Sequence, residues 1–465
     1  MLDGLEAQEI LFSELEFSRR MDAEYYQKIY LEYEEKVLSN KNDKLENLAN
    51  FLIGPFGSAY DTNNYTDIPE YRYVRGQDVK PFILKDTDPR YATKEDFDRL
   101  KKYALKPRDI LVSVVGTLGN ACIVKEKDVP AIFSCKSTVI RTKDINPYYL
   151  IAYLNSKYGR SLLLRKERGA IQKGLNLDDL KLLDIPLFSD RLDMRIESLL
   201  LSMESCIEQA KSLYEQAEKI LEKELKFDSY IEPHEKYTSK TLSEVFGKSG
   251  RLDAEYYQKK YEDIEQLIYS YKGGYDTVGK ICSIKDNNFI PKDNEVYSYI
   301  ELSNVGMCGE IAGVEEQLGS ELPTRARRIV NTNDVIVSSI EGSIEKCALI
   351  TEENNNYICS NGFYVLSSDT INAETLLVLF KSQFIKQLLK KGCSGTILCG
   401  IGKEELKNIP IPIISDDIQN DIRQLIVESY KKRSEINTLI SMAIKIIEDA
   451  IGIGEDKALN NNNLI

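Results

Sequence analysis

Histidine is almost missing from this chain: 465 residues contain one, His234. Zinc sites that need two histidines are therefore excluded, and a Ser/His/Asp or Cys/His catalytic set could form only through that residue. His234 closes Ile231-Glu232-Pro233-His234 and reads as a solvated helix end. The nine cysteines are odd in number and include no CxxC pair, which argues against a secreted disulfide framework. No apolar run approaches the ~20 residues needed to span a bilayer. The Met1–Phe12 start is acidic rather than basic, so a cytoplasmic location without membrane contact is expected. Glycine-rich loops of dinucleotide or P-loop spacing are absent as well.

Two segments imitate catalytic motifs. Asn146-Pro147-Tyr148-Tyr149 lacks the second consecutive proline of an amino-methyltransferase loop, and reads as a helix start with proline at its first position. The acid-rich Glu218–Glu224 could imitate a nuclease's Glu-x-Lys but lies in a heptad pattern, where it reads as a solvated face. The chain thus carries no catalytic or metal constellation of its own. What it does have is ordinary: 42% hydrophobic and 29% charged residues, in a length sufficient for two or three domains. The net charge of −13 is unevenly spread: residues 48–189 sum to +6, whereas 1–47, 190–236, 237–414 and 415–465 sum to −6, −5, −5 and −3.

The informative feature is a duplication. Arg20-Met21-Asp22-Ala23-Glu24-Tyr25-Tyr26-Gln27-Lys28 returns as Arg251-Leu252-Asp253-Ala254-Glu255-Tyr256-Tyr257-Gln258-Lys259, an offset of 231 that then settles at 226. In that register Tyr73-Val74 matches Tyr299-Ile300, Ser134 matches Ser360, and Leu150 and Ser156 match Leu376 and Ser382. Gly169, Gly174 and Leu180 match Gly395, Gly400 and Leu406. A period so long is not a solenoid; the chain is two copies of one unit.

Each copy has the same order. An aromatic, acidic opening of helical spacing (Asp22 to Tyr33; Asp253 to Tyr269) precedes a strand-rich body. Asp109 and Asp334 introduce β-branched runs, Ile110–Val115 and Val335–Ile340, that end at glycine. A single helix is expected over Pro147–Arg165 and again over Ala373–Lys391. A proline-ended strand follows at Ile185-Pro186 and Ile411-Pro412. Long amphipathic helices then repeat every seven residues, through Ile196, Met203, Ala210 and Ala217, and through Ile422, Ser429, Ile436, Ala443 and Ala450. This is the pattern of helices that pair. The tail beyond Gly454 has little to bury and is expected to fray.

Basic residues cluster in both bodies, where contacts to phosphate would be expected. The candidates are Arg75, Lys80, Arg90, Thr117, Arg165, Lys166, Arg168 and Lys173 in the first, and Arg325, Arg327, Arg328, Ser343, Lys390, Lys391 and Thr396 in the second.

This doubled order resembles the specificity subunit of type I restriction–modification systems, over about residues 12–452. The resemblance rests on the Asp-Ile-Leu-Val-Ser…Gly and Gly…Gly…Leu-Lys…Ile-Pro blocks, each present twice and each followed by a heptad helix. It implies an α+β fold of two tandem, homologous, mixed α/β target-recognition domains, each followed by a long helix, with the helices packed as an antiparallel coiled coil of pseudo-twofold symmetry. The expected limits are an N-terminal segment 1–19, recognition domains 20–188 and 251–413, helical spacers 189–250 and 414–452, and a frayed tail 453–465. The implied role is non-catalytic: reading a bipartite, asymmetric site in double-stranded DNA for partners that methylate adenine N6 or cut. Those partners would be methyltransferase subunits, two of them, and restriction/translocase subunits. S-adenosylmethionine, ATP and magnesium would reside in the partners and no cofactor in this chain. The turns Gly116–Leu118 and Gly342–Ile344, with Gly169–Gly174 and Gly395–Gly400, would lie near DNA. A related system whose methyltransferase and nuclease share one polypeptide remains an alternative, as does a coiled-coil adaptor without nucleic acid.

Overall fold

A computed structural model describes residues 9–11, 20–55, 57–85, 88–169, 173–231, 238–243, 245, 250–395 and 399–461. The chain divides into two compact units, Met1–Ser205 with Glu435–Ile465, and Cys206–Ser434. The division falls inside both long helices, so each unit owns one repeat body and half of either helix.

In the first unit the Tyr-Tyr opening is a single 3-10 turn, Ala23–Tyr26, followed by helix α1 (Lys28–Leu38). The body is built from strands β1 (Asn42–Lys44), β2 (Ala49–Ile53), β3 (Tyr71–Val74), β4 (Arg90–Ala92), β5 (Ile110–Ser113), β6 (Ala121–Ile123), β7 (Ala131–Phe133), β8 (Ser137–Thr142) and β9 (Asp184–Pro186). One antiparallel sheet has the order β2-β8-β5-β6; another is β4-β3-β7, with β3 and β7 parallel; β1 and β9 pair separately. Strand β5 is buried along its whole length, which suits an unbroken β-branched run better than an alternating one. The aspartate before it closes the preceding turn: the buried Asp109 carboxylate accepts from Lys106 N–H at 2.8 Å, while Arg108 takes the left-handed conformation at φ 70°. Arg141 neutralises the same carboxylate at 2.8 and 3.0 Å.

The helix expected over Pro147–Arg165 is two helices, α2 (Pro147–Asn155) and α3 (Lys157–Arg165). Asn146 caps the first, with Pro147 at its first position as the sequence implies. The break lies at Ser156, whose extended backbone (ψ 163°) ends one helix and starts the next. Its buried hydroxyl donates to Tyr153 O at 2.7 Å and accepts from Gly159 N–H at 3.2 Å, serving both ends. Apolar spacing runs through this corner unchanged, which is why it reads as continuous. Helix α2 buries Tyr148 through Leu154 almost completely, each large side chain contributing about 1.5–3 kcal/mol. Helix α4 (Asp190–Glu224) leaves the body directly after β9.

The second unit repeats the plan with α5 (Lys259–Tyr269) and strands β10 (Tyr275–Thr277), β11 (Ser283–Lys285), β12 (Val296–Ile300), β13 (Glu316–Leu318), β14 (Ala326–Ile329), β15 (Val335–Ser338), β16 (Cys347–Leu349), β17 (Ile358–Ser360), β18 (Phe363–Ser367), β19 (Cys393–Ser394), β20 (Gly400–Ile401) and β21 (Pro410–Pro412). The sheet β11-β18-β15-β16 matches that of the first unit strand for strand. The second sheet, β13-β12-β17-β14, gains a strand on β17. Asp334 repeats the turn of Asp109, accepting from Asn331 N–H at 2.8 Å beside Asn333 at φ 70°. Helices α6 (Ala373–Lys381) and α7 (Gln383–Gly392) again break at a serine, Ser382, where one helix was expected.

Helix α8 (Asp416–Ile453) pairs with α4 in antiparallel sense. Within the second unit, fully buried Ser429 donates its hydroxyl to Ala210 O at 2.7 Å, and Tyr214, Ala217 and Leu221 share a core with Ile422 and Ile426. Small side chains at Ala210 and Ser429 are what allow the backbones so close. Within the first unit the heptad residues Ile196 and Met203 of α4, and Ala443 and Ala450 of α8, are buried. Glu218 is not the solvated residue its heptad position suggests: it is half-buried, and burial raises its carboxyl above the usual range. The tail also differs from expectation. Gly454, at φ 93°, turns the chain into helix α9 (Glu455–Asn461), which buries Ala458 and Leu459. Glu455 there accepts from the Ser189 N–H at 3.2 Å.

Candidate nucleic-acid interface

The glycine-bearing segments that lie far apart in sequence meet in each body. In the first, the chain leaves β5 into a turn whose Gly116 adopts φ 89°, with Gly116 and Thr117 exposed at its tip. Ser113 ties the turn from inside, accepting from Asn120 N–H at 3.1 Å and donating to Thr117 O. A second loop docks on it: Leu175 N–H donates to Val114 O at 3.0 Å, and Arg168 and Gly174 exchange backbone bonds at 2.9 and 2.8 Å. In the second body Ile340 bridges Gly400, Glu341 N–H donates to Cys399 O at 3.0 Å, and Ile401 N–H donates to Ser339 O at 2.8 Å. A Cβ on Gly400 would stand 2.5 Å from Ser339 O, so only glycine permits this approach. His234 and Thr396 lie outside the described residues.

The candidate cations divide by environment. Arg165 is 5% exposed. Its guanidinium lies 4.1 Å from the Tyr25 ring centroid, pairs with Glu34 at 2.9 Å, and donates through Nε to Tyr25 O at 2.7 Å. Lys391, its equivalent, lies 5.0 Å from the Tyr256 ring and pairs with Glu265 at 2.5 Å. Both serve the protein interior, a role that their place in a basic run conceals. Arg168 makes a two-bond pair with Asp179 at 3.0 and 2.9 Å, and Lys173 pairs with Glu167, which raises its ammonium above the ordinary value. Arg75 is bound by Asp78 at 2.8 Å and by Asp88, with its own acidity weakened by the first of these; Arg90 also pairs with Asp88, at 2.9 Å. Lys80 and Lys166 are half-buried.

In the second body Arg325 pairs with Glu301 at 2.8 Å, and Arg327 donates to Thr324 O at 2.7 Å. Arg328 donates to Phe363 O at 2.6 Å. Lys390 is exposed and Ser343 half-buried, beside the turn that Gly400 docks on. Two further cations of the same basic clusters occupy equivalent places on α3 and α7. Arg160 donates to Gly119 O at 3.2 Å and to Asn120 Oδ1 at 3.1 Å, bracing the first glycine turn, and burial lowers its pKa. Lys386 is likewise lowered, by burial first and by Lys381 second. The arrangement offers a pair of braced, exposed turns flanked by cations, several of them held by carboxylates, and it suits recognition.

The family described as type I restriction modification DNA specificity domain matches residues 40–219 and again residues 275–445. The chain belongs to that family. Both matches of the specificity family begin within a body and end within a long helix, so the family unit is a body plus its helix. Among solved structures, the chain is similar to the type I restriction–modification S subunit from M. genitalium, at 13% identity over 88% of this chain and 94% of that one, with a TM-score of 0.39. It is also similar to the HsdS subunit from Thermoanaerobacter tengcongensis, at 15% identity over 91% and 97%, with a TM-score of 0.26. No curated protein matches it. Among the described residues no helix is long and apolar enough to cross a membrane.

Proposed function

We propose that this specificity subunit reads a bipartite, asymmetric site in double-stranded DNA, one half with each body, and directs partner subunits to methylate adenine N6 or to cut. The observation that carries the reading is the doubled turn: Gly116–Thr117 braced by the Gly174 loop, and Gly342–Ser343 braced by Gly400, from bodies that are alike in plan and different in side chains. Alike bodies with unlike surfaces suit a target whose halves differ in sequence. The acidic helices α4 and α8 suit methyltransferase subunits, two by the internal symmetry, better than they suit phosphate. Restriction/translocase subunits would join these. S-adenosylmethionine, ATP and magnesium belong to those partners in this reading, and the location is the cytoplasm.

The test is expression with the methyltransferase subunit of the same system in a host free of adenine methylation, followed by single-molecule sequencing. A split methylated motif is expected, and exchange of residues 20–188 for those of a relative should change one half only. Absence of methylation in every sequence context would overturn the reading.

A further inference from the structure

The second body contains a cleft of about 440 Å³ between β14 and the segment that runs on from β11. Ser283, Asn287 and Asn288 line it with exposed polar side chains, and Phe289 forms an apolar wall, its ring 5.7 Å from that of Tyr297. The loop is fixed to β14 by a bond from Phe289 N–H to Arg327 O at 2.6 Å. Two of the charges at the cleft are already matched. Lys285 binds Asp334 at 2.7 Å, and Asp286 binds Lys403. Arg328 is different. One nitrogen donates to Phe363 O, its Nε is buried without a hydrogen-bond partner, and no ion pair to it occurs among the described residues. A cation held by a neutral carbonyl leaves the cleft with a net positive charge.

The cleft adjoins the glycine turn. Lys403, which holds Asp286, comes two residues after Ile401 of β20. The Arg328 guanidinium lies 5.7 Å from the ring of Tyr364, whose hydroxyl donates to Ile401 O at 2.9 Å.

Strand registers show what stands here in the first body. Lys285 faces Val365 as Leu52 faces Val139, and Ile329 faces Ile358 as Ala104 faces Ile132. Asn287 and Asn288 therefore occupy the places of Gly54 and Pro55, and Arg328 that of Tyr103. Gly54 and Pro55 are buried, and a Cβ on Gly54 would lie 2.3 Å from Ser134 O. One body closes this place with a buried glycine and proline where the other opens it with two exposed amides, and it carries a tyrosine where the other carries a cation.

We propose that Asn287 and Asn288 read base edges in the half-site taken by the second body, while Arg328 anchors a neighbouring phosphate. A carboxamide can donate to and accept from one base, and adenine in the major groove presents the matching acceptor and donor. The unpaired guanidinium supplies the sequence-blind attraction that holds the amides in register. This inference rests on the function proposed above.

The experiment uses the full chain with its methyltransferase subunit. The double variant Asn287→Ala, Asn288→Ala changes only exposed side chains. It should leave the first half of the methylated motif intact and relax the second at one or two positions, with discrimination there falling roughly ten- to hundredfold. Arg328→Gln should weaken binding of the purified complex to all duplexes alike, lowering the slope of log affinity against log salt by about one, and Arg328→Lys should restore the slope. If the parent yields a split motif and the double variant keeps it strict, the base-reading role is wrong while the proposed function stands. If the slope does not move in Arg328→Gln, the anchoring role is wrong. A parent that directs no methylation would sink the function itself, before either variant is compared.

Discussion

Arg165 and Tyr25, 140 residues apart, form a cation–aromatic pair at 4.1 Å, and Arg165 Nε also donates to the Tyr25 carbonyl. Arg20, paired with Asp22 in a bond that raises its own pKa, lies 4.5 Å from the same ring. The second body repeats the motif with Arg251 and Lys391 over Tyr256. The most exact stretch of the sequence repeat is thus a clamp on the end of α3 or α7, next to the loop that braces the glycine turn.

Arg165→Ala should therefore lower the stability of the first unit by about 2–3 kcal/mol. That is less than the loss for a fully buried pair, because Glu34 is 33% exposed. Urea denaturation followed by circular dichroism measures it. Arg165→Lys should recover part of the loss. The salt slope of DNA binding should not change in either variant; a drop of about one would mean that Arg165 reaches phosphate after all.

Ser382→Ala removes the cap shared by α6 and α7, where the hydroxyl donates to Leu379 O at 2.5 Å and accepts from Ile385 N–H at 3.4 Å. The expected cost is about 1 kcal/mol, with the same for Ser156→Ala in the first unit. Thermal melting of each variant provides the check, and glycine at either position should be milder than alanine.

Gly400→Ala puts a methyl group against Ser339 O and must push the β19–β20 hairpin away from its turn. Recognition should suffer more than folding. We expect methylation to be lost or the second half-motif blurred, with the thermal transition shifted by a few degrees at most, roughly 1 kcal/mol.

Asp193 in α4 has its carboxyl pushed up to about 6, first because it is half-buried and then because Asp190, Glu455 and Glu197 add repulsion. The unfolded carboxyl titrates near ~3.9, so the folded state binds the extra proton between these values. The penalty for this charge is fully present above pH 6 and fades as pH falls toward 4. Asp193→Asn should melt higher than the parent at pH 7.5, and the gap should narrow at pH 5. A gap independent of pH would rule out titration as the cause.

Elements tied to one local residue were legible in the chain. Asp109 and Asp334 mark the turns into β5 and β15, Asn146 and Pro147 start α2, and the heptads give α4 and α8. Ser156 and Ser382 were visible as matched residues but not as corners, since apolar spacing does not register a change of helix direction. The fate of the cations was hidden for another reason. Asp179 lies 11 residues from Arg168 and Glu265 lies 126 from Lys391, so no local pattern distinguishes a paired basic residue from an available one.

By itself the sequence determined the duplication and the order of elements, because those depend on residue type, spacing and periodicity. Tertiary structure alone decided which glycine loops meet, which arginines turn inward to aromatic rings, and which body opens a cleft at Asn287 and Asn288. Each of those depends on strands pairing across long separations, and pairing is settled by burial of the whole sheet rather than by any stretch of chain.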